Sequence, residues 1–414
     1  MASQQAEITD FGDGYSVTWP AQNVVVAVDY LQQQTAGLLG EMTIRHESKL
    51  LCESLRCNLN SEPKTKNIAR KVYEYHPLIP LPDWARLIEQ SCIAVLRRYR
   101  RGEPPVLLTR HSPVEHLTYA ISPLLLSKKT TICFGDGGLG KSTLGLFCCM
   151  LASVGGDVAG LSAVKGRALY LDWEDDASVH ARRLQALQRG HPDLGAAEVL
   201  YQKCALPLFR TANQVVRQIK EEGITLVVVD SLMAATGGDA TAEGTSKLFA
   251  ALRLLDSAVL AIGHVAKNQP EGQGKNTVFG SIFFQNFSRS IWELKKEQEI
   301  GEDSATLALI HRKSNLSRLH MPIGLTVRQS ADNDSIQYET FDLSQSAGLE
   351  AALPLPSRIR NLLDSDGIPR SANQIAEALN VRLATVQSTL SRKRGTKWSM
   401  IGENREAKWT TLSS

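Results

Sequence analysis

Residues 130–151 read TTICFGDGGLGKSTLGLFCCML, and the rest of the chain takes its meaning from this stretch. The opening TTICF has the apolar, β-branched character of a buried strand, and the closing apolar run suits a buried helix. Between them GDGGLGKST, Gly135 to Thr143, fits G-x-x-x-x-G-K-[ST]. Glycines let such a loop wrap around phosphates with its N–H groups turned inward; Gly140 permits the close approach, and the following helix start adds a favourable dipole. Gly135, Asp136, Gly137, Gly138, Leu139, Gly140, Lys141, Ser142 and Thr143 are thus the predicted residues for ATP. Lys141 faces the β- and γ-phosphates, and the Ser142 hydroxyl is a ligand for Mg²⁺. A chance glycine turn is the alternative, and the strand–loop–helix context argues against it.

A phosphate loop binds nucleotide but does not hydrolyse it alone. Hydrolysis needs an acid on the metal shell and a base for the attacking water. ITLVVVDSL, residues 224–232, ends an apolar strand in Asp230, the predicted metal acid. ALYLDWEDD, residues 168–176, ends another strand in Asp172, Glu174, Asp175 and Asp176. Crowded carboxylates repel one another unless cations compensate them, and Lys141 with Mg²⁺ would do so. Glu174 is read as the water-activating base, on a strand expected beside the phosphate-loop strand, with Asp175 as second choice. Asp175 and Asp176 also suit a cap on the helix DASVHARRLQAL.

Composition sets the frame. The chain has 414 residues, 43% hydrophobic and 21% charged, with a net charge of +3. That is a globular protein of two or three domains, whose charge alone argues for no polyanion partner. Seven cysteines without a C-x-x-C pair read as reduced core residues. The start lacks a signal-like segment, and the longest apolar stretch, Leu144 to Val154, is short of the ~20 residues that span a bilayer. A cytoplasmic location without membrane contact is expected.

Four blocks follow. Residues 1–115 read as an N-terminal α+β domain: strands YSVTW, VVVAVDY and LLGEMTIRH, then two helices, the second opening near Asp83 and stopped by Gly102. Its basic end, Arg97, Arg98, Arg100 and Arg101, is a solvated helix terminus or a nucleic-acid contact. Residues 116–345 alternate strands and helices, an α/β pattern with a mostly parallel central sheet. An Ala/Pro/Leu-rich linker covers 346–355. Residues 356–414 read as three helices and a hairpin, a winged helix-turn-helix pattern, with Ser371 as a cap and Ile375, Ala378, Leu379, Val386 and Leu390 as its core.

The succession of phosphate loop, LDWEDD, VVVDSL, LAIGHVAK, VFGSIFFQNFSRSIWEL and LIHRKSNLS resembles the RecA-type ATPases. It is most similar to the group of the plasmid RepA hexameric helicase, an AAA-type domain with a RecA-like core. The likeness covers about residues 115–345. It implies that His264 senses the γ-phosphate and that Arg289 acts as an arginine finger in a neighbouring subunit's site, joined by Lys313. A buried histidine, a surface ion pair and a solvated lysine (or Arg312) are the respective alternatives. It further implies a homo-oligomer, in the likeness of the group a hexamer. Two polar glycine-bearing loops, TGGDATAEGTSK and KNQPEGQGKN, stand where such folds face a central pore. Lys267 and Lys275 in the second suit single-stranded DNA phosphates, although neither loop carries an aromatic residue for base stacking.

In the last block Arg382, Arg392, Lys393 and Arg394, with Thr385, Gln387 and Ser388 and the hairpin's Lys397, Arg405 and Lys408, suit duplex DNA contact; a protein-binding role is the alternative. The leading expectation is an Mg²⁺-dependent oligomeric ATPase working on DNA, a replicative-type helicase of a mobile element or phage. The N-terminal domain is left for a protein partner. A RecA-fold regulatory or defence ATPase and a recombination mediator on single strands are the rivals.

Overall fold

The computed structural model describes residues 6–11, 14–102, 105–108, 117–264, 282–299, 301–332, 334–346, 348–402 and 407–412. Lys267, Lys275, Arg405 and the whole KNQPEGQGKN loop lie outside these described residues. The chain divides into two compact units, Met1–Glu115 with Asn213–Arg217, and His116–Ala212 with Gln218–Ser414.

The first unit holds an antiparallel meander of β1 (Glu7–Phe11), β2 (Gly14–Trp19), β3 (Val24–Gln34), β4 (Gly37–His46) and β5 (Lys49–Asn58), followed by α1 (Glu62–Tyr75) and α2 (Leu81–Arg101). Alternation in β2, β3 and β4 turns Val17, Val26, Val28, Met42 and Ile44 to one face, against Trp84, Leu87 and Ile88 of α2. Each such side chain contributes about 1.5–3 kcal/mol on full burial. Asp83 does not cap α2: Pro80 occupies the N-cap, and Asp83 sits in the first turn, paired with Arg86 at 3.0 Å. Gly102 ends the helix with φ 61°, and Arg98 is held by Asp10 at 2.5 Å.

The second unit begins with β6 (Tyr119–Ser122) and β7 (Leu125–Leu126), then β8 (Thr130–Gly135) and α3 (Lys141–Val154). Next come β9 (Gly156–Val158), β10 (Leu161–Ala163), β11 (Arg167–Asp172), α4 (Ala177–Gly190), β12 (Val199–Lys203), α5 (Leu208–Glu222) and β13 (Ile224–Asp230). The chain continues through α6 (Leu232–Ala235), α7 (Ala242–Leu254), β14 (Ala258–His264), α8 (Ile282–Phe287), β15 (Ser290–Glu297), β16 (Ser304–Ser314), β17 (Ile323–Gln329) and β18 (Ile336–Thr340). A nine-stranded sheet runs β12-β11-β13-β14-β8-β15-β16-β17-β18. Pairing is parallel from β12 to β15 and antiparallel from β15 to β18. β6, β7, β9 and β10 form a small separate sheet.

This order corrects one expectation. The strand carrying Glu174 is not beside the phosphate-loop strand, because β13 and β14 stand between β11 and β8. The crossover through α3 skips two places, which later strands fill. The chain leaves β8 towards β11 on one side, whereas from β14 it goes on to β15 on the other side of β8, a switch point of the kind that opens a crevice at strand C-terminal ends.

α3 is apolar all round because it lies in the core: Leu144, Phe147, Cys148, Cys149 and Met150 are all buried. A Cβ at Gly145 would stand 3.1 Å from Ile262 Cδ1 and 3.2 Å from Val228 Cγ1, so glycine lets this helix sit close on the sheet. Among the described residues no helix is long and apolar enough to cross a membrane. All seven cysteines are free thiols, six of them buried.

The final elements are α9 (Leu355–Asp364), β19 (Arg370–Ser371), α10 (Ala372–Ala378), α11 (Leu383–Arg392), β20 (Trp398–Ile401) and β21 (Lys408–Thr411), the three strands ordered β19-β21-β20. Ser371 and Gln374 form a capping box on α10. The core joins Ile359, Leu363, Ile375, Leu379, Val386, Leu390 and Trp398. Ala376 is buried where Ala378 was expected, and Ala378 faces solvent. The stretch read as a linker starts by packing, with Leu349 buried among Ala308, Ile310 and Leu343.

Candidate nucleotide site

The sheet register brings the predicted residues together. Asp172 of β11 pairs with Asp230 of β13, Asp230 with Ile262 of β14, and His264 of β14 with Gly135 of β8. The acids, the histidine and the phosphate loop therefore line one edge, at the C-terminal ends of neighbouring parallel strands.

Gly138 and Gly140 hold φ of 77° and 86°, left-handed values that a side chain would strain, and no atom lies within 4 Å of a Cβ built on either. Lys141 Nζ bends over this loop and donates to the carbonyls of Gly135 (2.9 Å) and Asp136 (2.6 Å). The ammonium is 5% exposed as a residue, and burial lowers its pKa against the opposing pull of Asp230, Asp136 and Glu174. An arriving phosphate offers it a stronger, charge-assisted partner than the two carbonyls. Beside Gly138, Gly140 and Thr143 a cavity of about 200 Å³ continues between Arg183 and the polar ends of β15 to β18, including Lys296, Gln298 and Asp303.

The four acids of the LDWEDD stretch have four separate tasks. Asp172 is buried and accepts the backbone N–H of Glu174 at 2.9 Å. Asp175, the second-choice base, is drawn to Arg183 at 3.1 Å. Asp176 caps α4, accepting from the N–H groups of Ser178 and Val179. Glu174 alone turns to the phosphate-loop side, accepting a 2.5 Å bond from the Ser231 hydroxyl and standing 3.8 Å from His264 Nε2. The His264 ring, then the Ser231 hydroxyl and the Lys141 charge, hold the Glu174 carboxyl down to about 2 against the effect of burial. It is a carboxylate at any working pH.

Asp230 is 3% exposed. Burial raises its pKa, the Ser142 and Tyr170 hydroxyls lower it, and the nearby Glu174 and Asp172 raise it again. Tyr170 Oη donates to Asp230 Oδ2 at 2.6 Å. Ser142 and Asp230 are thus side by side, an oxygen pair of the hard type that Mg²⁺ takes, with the Glu174 carboxylate near by. These residues fit Mg²⁺. When bound, the ion would neutralise phosphate charge, while the chain's own groups hold the phosphates and the water.

Arg289 and Lys313 are elsewhere. Ser290 pairs with Thr131, so Arg289 stands level with the start of β8, at the end of the sheet remote from Gly135. At about 3.3 Å per residue that is roughly 15 Å from the phosphate loop. Arg289 is exposed, and its guanidinium has no ion-pair partner among the described residues. Lys313 is its neighbour: Nζ donates to Gln285 O at 2.5 Å, and burial followed by the Arg289 charge lowers its pKa. Arg312 pairs with Glu293 at 2.5 Å. In the last block Arg382 is exposed at the start of α11, and Arg392, Lys393 and Arg394 are exposed at its other end.

Reading the sequence missed Ser231, Tyr170, His180 and Tyr201. Ser231 directly follows Asp230, and Tyr170 precedes Asp172 by two, on the same face of its strand, so both carried a local signal. Tyr201 and His180 did not, since only strand pairing and helix packing bring them in.

Residues 103–270 match a family described as an AAA domain. No curated protein matches the chain in sequence. Among solved structures it is similar to a KaiC-like protein from the hyperthermophilic archaeon Pyrococcus horikoshii, at 15% identity and a TM-score of 0.38, over 55% of this chain and 99% of that one. The matched stretch contains the phosphate loop, Glu174 and Asp230, and together with the loop geometry it supports a P-loop ATPase domain.

Proposed function

We propose that the protein is an oligomeric, Mg²⁺-dependent ATPase that couples hydrolysis to movement on DNA, in the manner of a replicative-type helicase of the RepA kind. One observation carries the oligomeric part. The exposed Arg289 with Lys313 beside it stands at the far end of the sheet, out of reach of the chain's own phosphate loop. A cationic pair so placed serves an active site only if that site belongs to an adjacent copy. On this reading Lys141 and the loop N–H groups hold phosphate, Ser142 and Asp230 would hold the metal, and Glu174 orients and deprotonates water.

The DNA part of the reading is supported by the last block. Its three helices and small sheet suit a winged helix, with Arg392, Lys393 and Arg394 exposed together at the end of α11 and Arg382 exposed at its start. Such clusters bind phosphates and set register on a duplex. The test measures ATP turnover with and without single-stranded DNA, strand displacement on a forked duplex, and mass in solution with a non-hydrolysable ATP analogue. Stimulation, displacement and a closed oligomer support the reading. Stimulation without displacement favours a recombination mediator, and indifference to DNA favours a regulatory ATPase.

A further inference from the structure

Asp172 looks from sequence like a spare acid beside the base, yet it is the most heavily bonded carboxylate of the site. At 1% exposure it accepts from four donors: the N–H of Glu174 at 2.9 Å, the N–H of Asp175 at 3.1 Å, His180 Nε2 at 3.0 Å and the Tyr201 hydroxyl at 3.0 Å. A buried carboxylate is costly unless its lone pairs are matched, and here they are. Two donors belong to the turn that carries Glu174; the other two come from α4 and from β12, at the edge of the sheet.

The clamp is itself fixed. His180 is 3% exposed, and its Nδ1 has no hydrogen-bond partner. A hydrogen on Nδ1 would be buried unpaired and would turn an Nε2 lone pair on the carboxylate, so the arrangement requires the Nε2–H tautomer. Its ring lies 4.7 Å from the Tyr170 ring and 5.4 Å from the Tyr201 ring, packed against both. Tyr170 in turn donates to the metal acid Asp230. One buried network therefore ties the metal acid to the turn bearing the base.

We propose that Asp172 is the positioning residue for hydrolysis, fixing the turn that aims Glu174 at the γ-phosphate region, with His180 and Tyr201 locking its carboxylate. The proposal rests on the reading of Glu174 as base and deepens it. Asp172 never touches nucleotide; it acts through the backbone of residues 174 and 175.

The test is a double-mutant cycle on the full chain, read by single-turnover ATP hydrolysis and by affinity for a fluorescent ATP analogue. Asp172→Asn is expected to lower the hydrolysis rate about 30-fold or more while affinity changes less than about threefold, since a misplaced base costs rate and not binding. Tyr201→Phe, which removes one donor and keeps the ring, is expected to cost about three- to tenfold in rate. Added to Glu174→Gln, either change should slow the reaction by less than about twofold, because the group it positions is already gone. A full additive loss in the double variant, or a loss of affinity as large as the loss of rate, overturns the proposal. So does an unchanged rate in Tyr201→Phe and Asp172→Asn alike. Should Asp172→Asn fail to fold, the Tyr201→Phe cycle decides alone. A normal rate in Glu174→Gln by itself is a different result: it removes the base assignment on which the proposal stands.

Discussion

The Ser231 hydroxyl donates a 2.5 Å hydrogen bond to Glu174 Oε1, linking the residue after Asp230 on one strand to the acid just past the end of the neighbouring strand. Together with His264 at 3.8 Å, it fixes one carboxylate oxygen and keeps the group ionised. Because the folded value of about 2 lies below the ordinary one, the stabilisation is present above pH ~4.5 and is lost as pH falls towards 2.

Removing that hydroxyl therefore has a directional effect. Ser231→Ala is expected to raise the Glu174 pKa towards its ordinary value and to slow turnover by about three- to tenfold. The pH–rate profile checks this: the acid limb belonging to Glu174 should move to higher pH. A profile and rate identical to the parent would show that Ser231 does not orient the base.

Lys141→Ala should act on binding. The variant loses the ammonium that leaves two loop carbonyls for phosphate, and ATP affinity is expected to fall by about tenfold or more, charge-assisted bonds being worth roughly 1.5–3 kcal/mol. Equilibrium titration with a fluorescent ATP analogue measures it. Unchanged affinity would remove the phosphate-loop assignment.

Arg289→Ala is expected to abolish most ATPase activity while leaving nucleotide affinity near the parent value. Mixed with Glu174→Gln subunits it should regain part of that activity, because a Glu174→Gln subunit supplies an intact arginine to a site with an intact base. Steady-state assays over a range of mixing ratios test the exchange. No regain at any ratio would place Arg289 outside a shared site.

His311 gives a stability prediction independent of catalysis. It is 6% exposed, stacked 4.3 Å from Trp292 with parallel planes, and its Nδ1 accepts the N–H of His320 at 3.1 Å. Burial, and then the His320 charge, push its pKa down to about 4. The unfolded chain takes up this proton at higher pH than the folded one, so stability falls as pH drops from ~6.5 towards 4, by at most about 1.4 kcal/mol per pH unit from this residue. Denaturant unfolding at several pH values should show that slope, and His311→Asn should flatten it.

Much of the site was legible because the chemistry is local. Nine consecutive residues carry the phosphate-loop pattern, Asp230 ends a visibly apolar strand, and Glu174 lies two residues past the end of another. The order of strands was not legible: β8, β11, β13 and β14 are all short buried runs, and nothing in Glu174's own strand says that two others intervene. The roles inside LDWEDD needed the partners as well. Asp175 is paired with Arg183, eight residues further along the chain, and Asp172 is bonded by Tyr201 on another strand. In the first unit β1 and β5 were missed because polar residues interrupt their alternation, as in KLLCESLRCN.

The central claim is that the phosphate loop and Glu174 face one bound triphosphate. Its most direct test compares Glu174→Gln with the parent for ATP affinity and single-turnover hydrolysis in the same preparation. Affinity within about threefold of the parent, with hydrolysis slowed about a hundredfold or more, is the predicted result. Hydrolysis at close to the parent rate would contradict it.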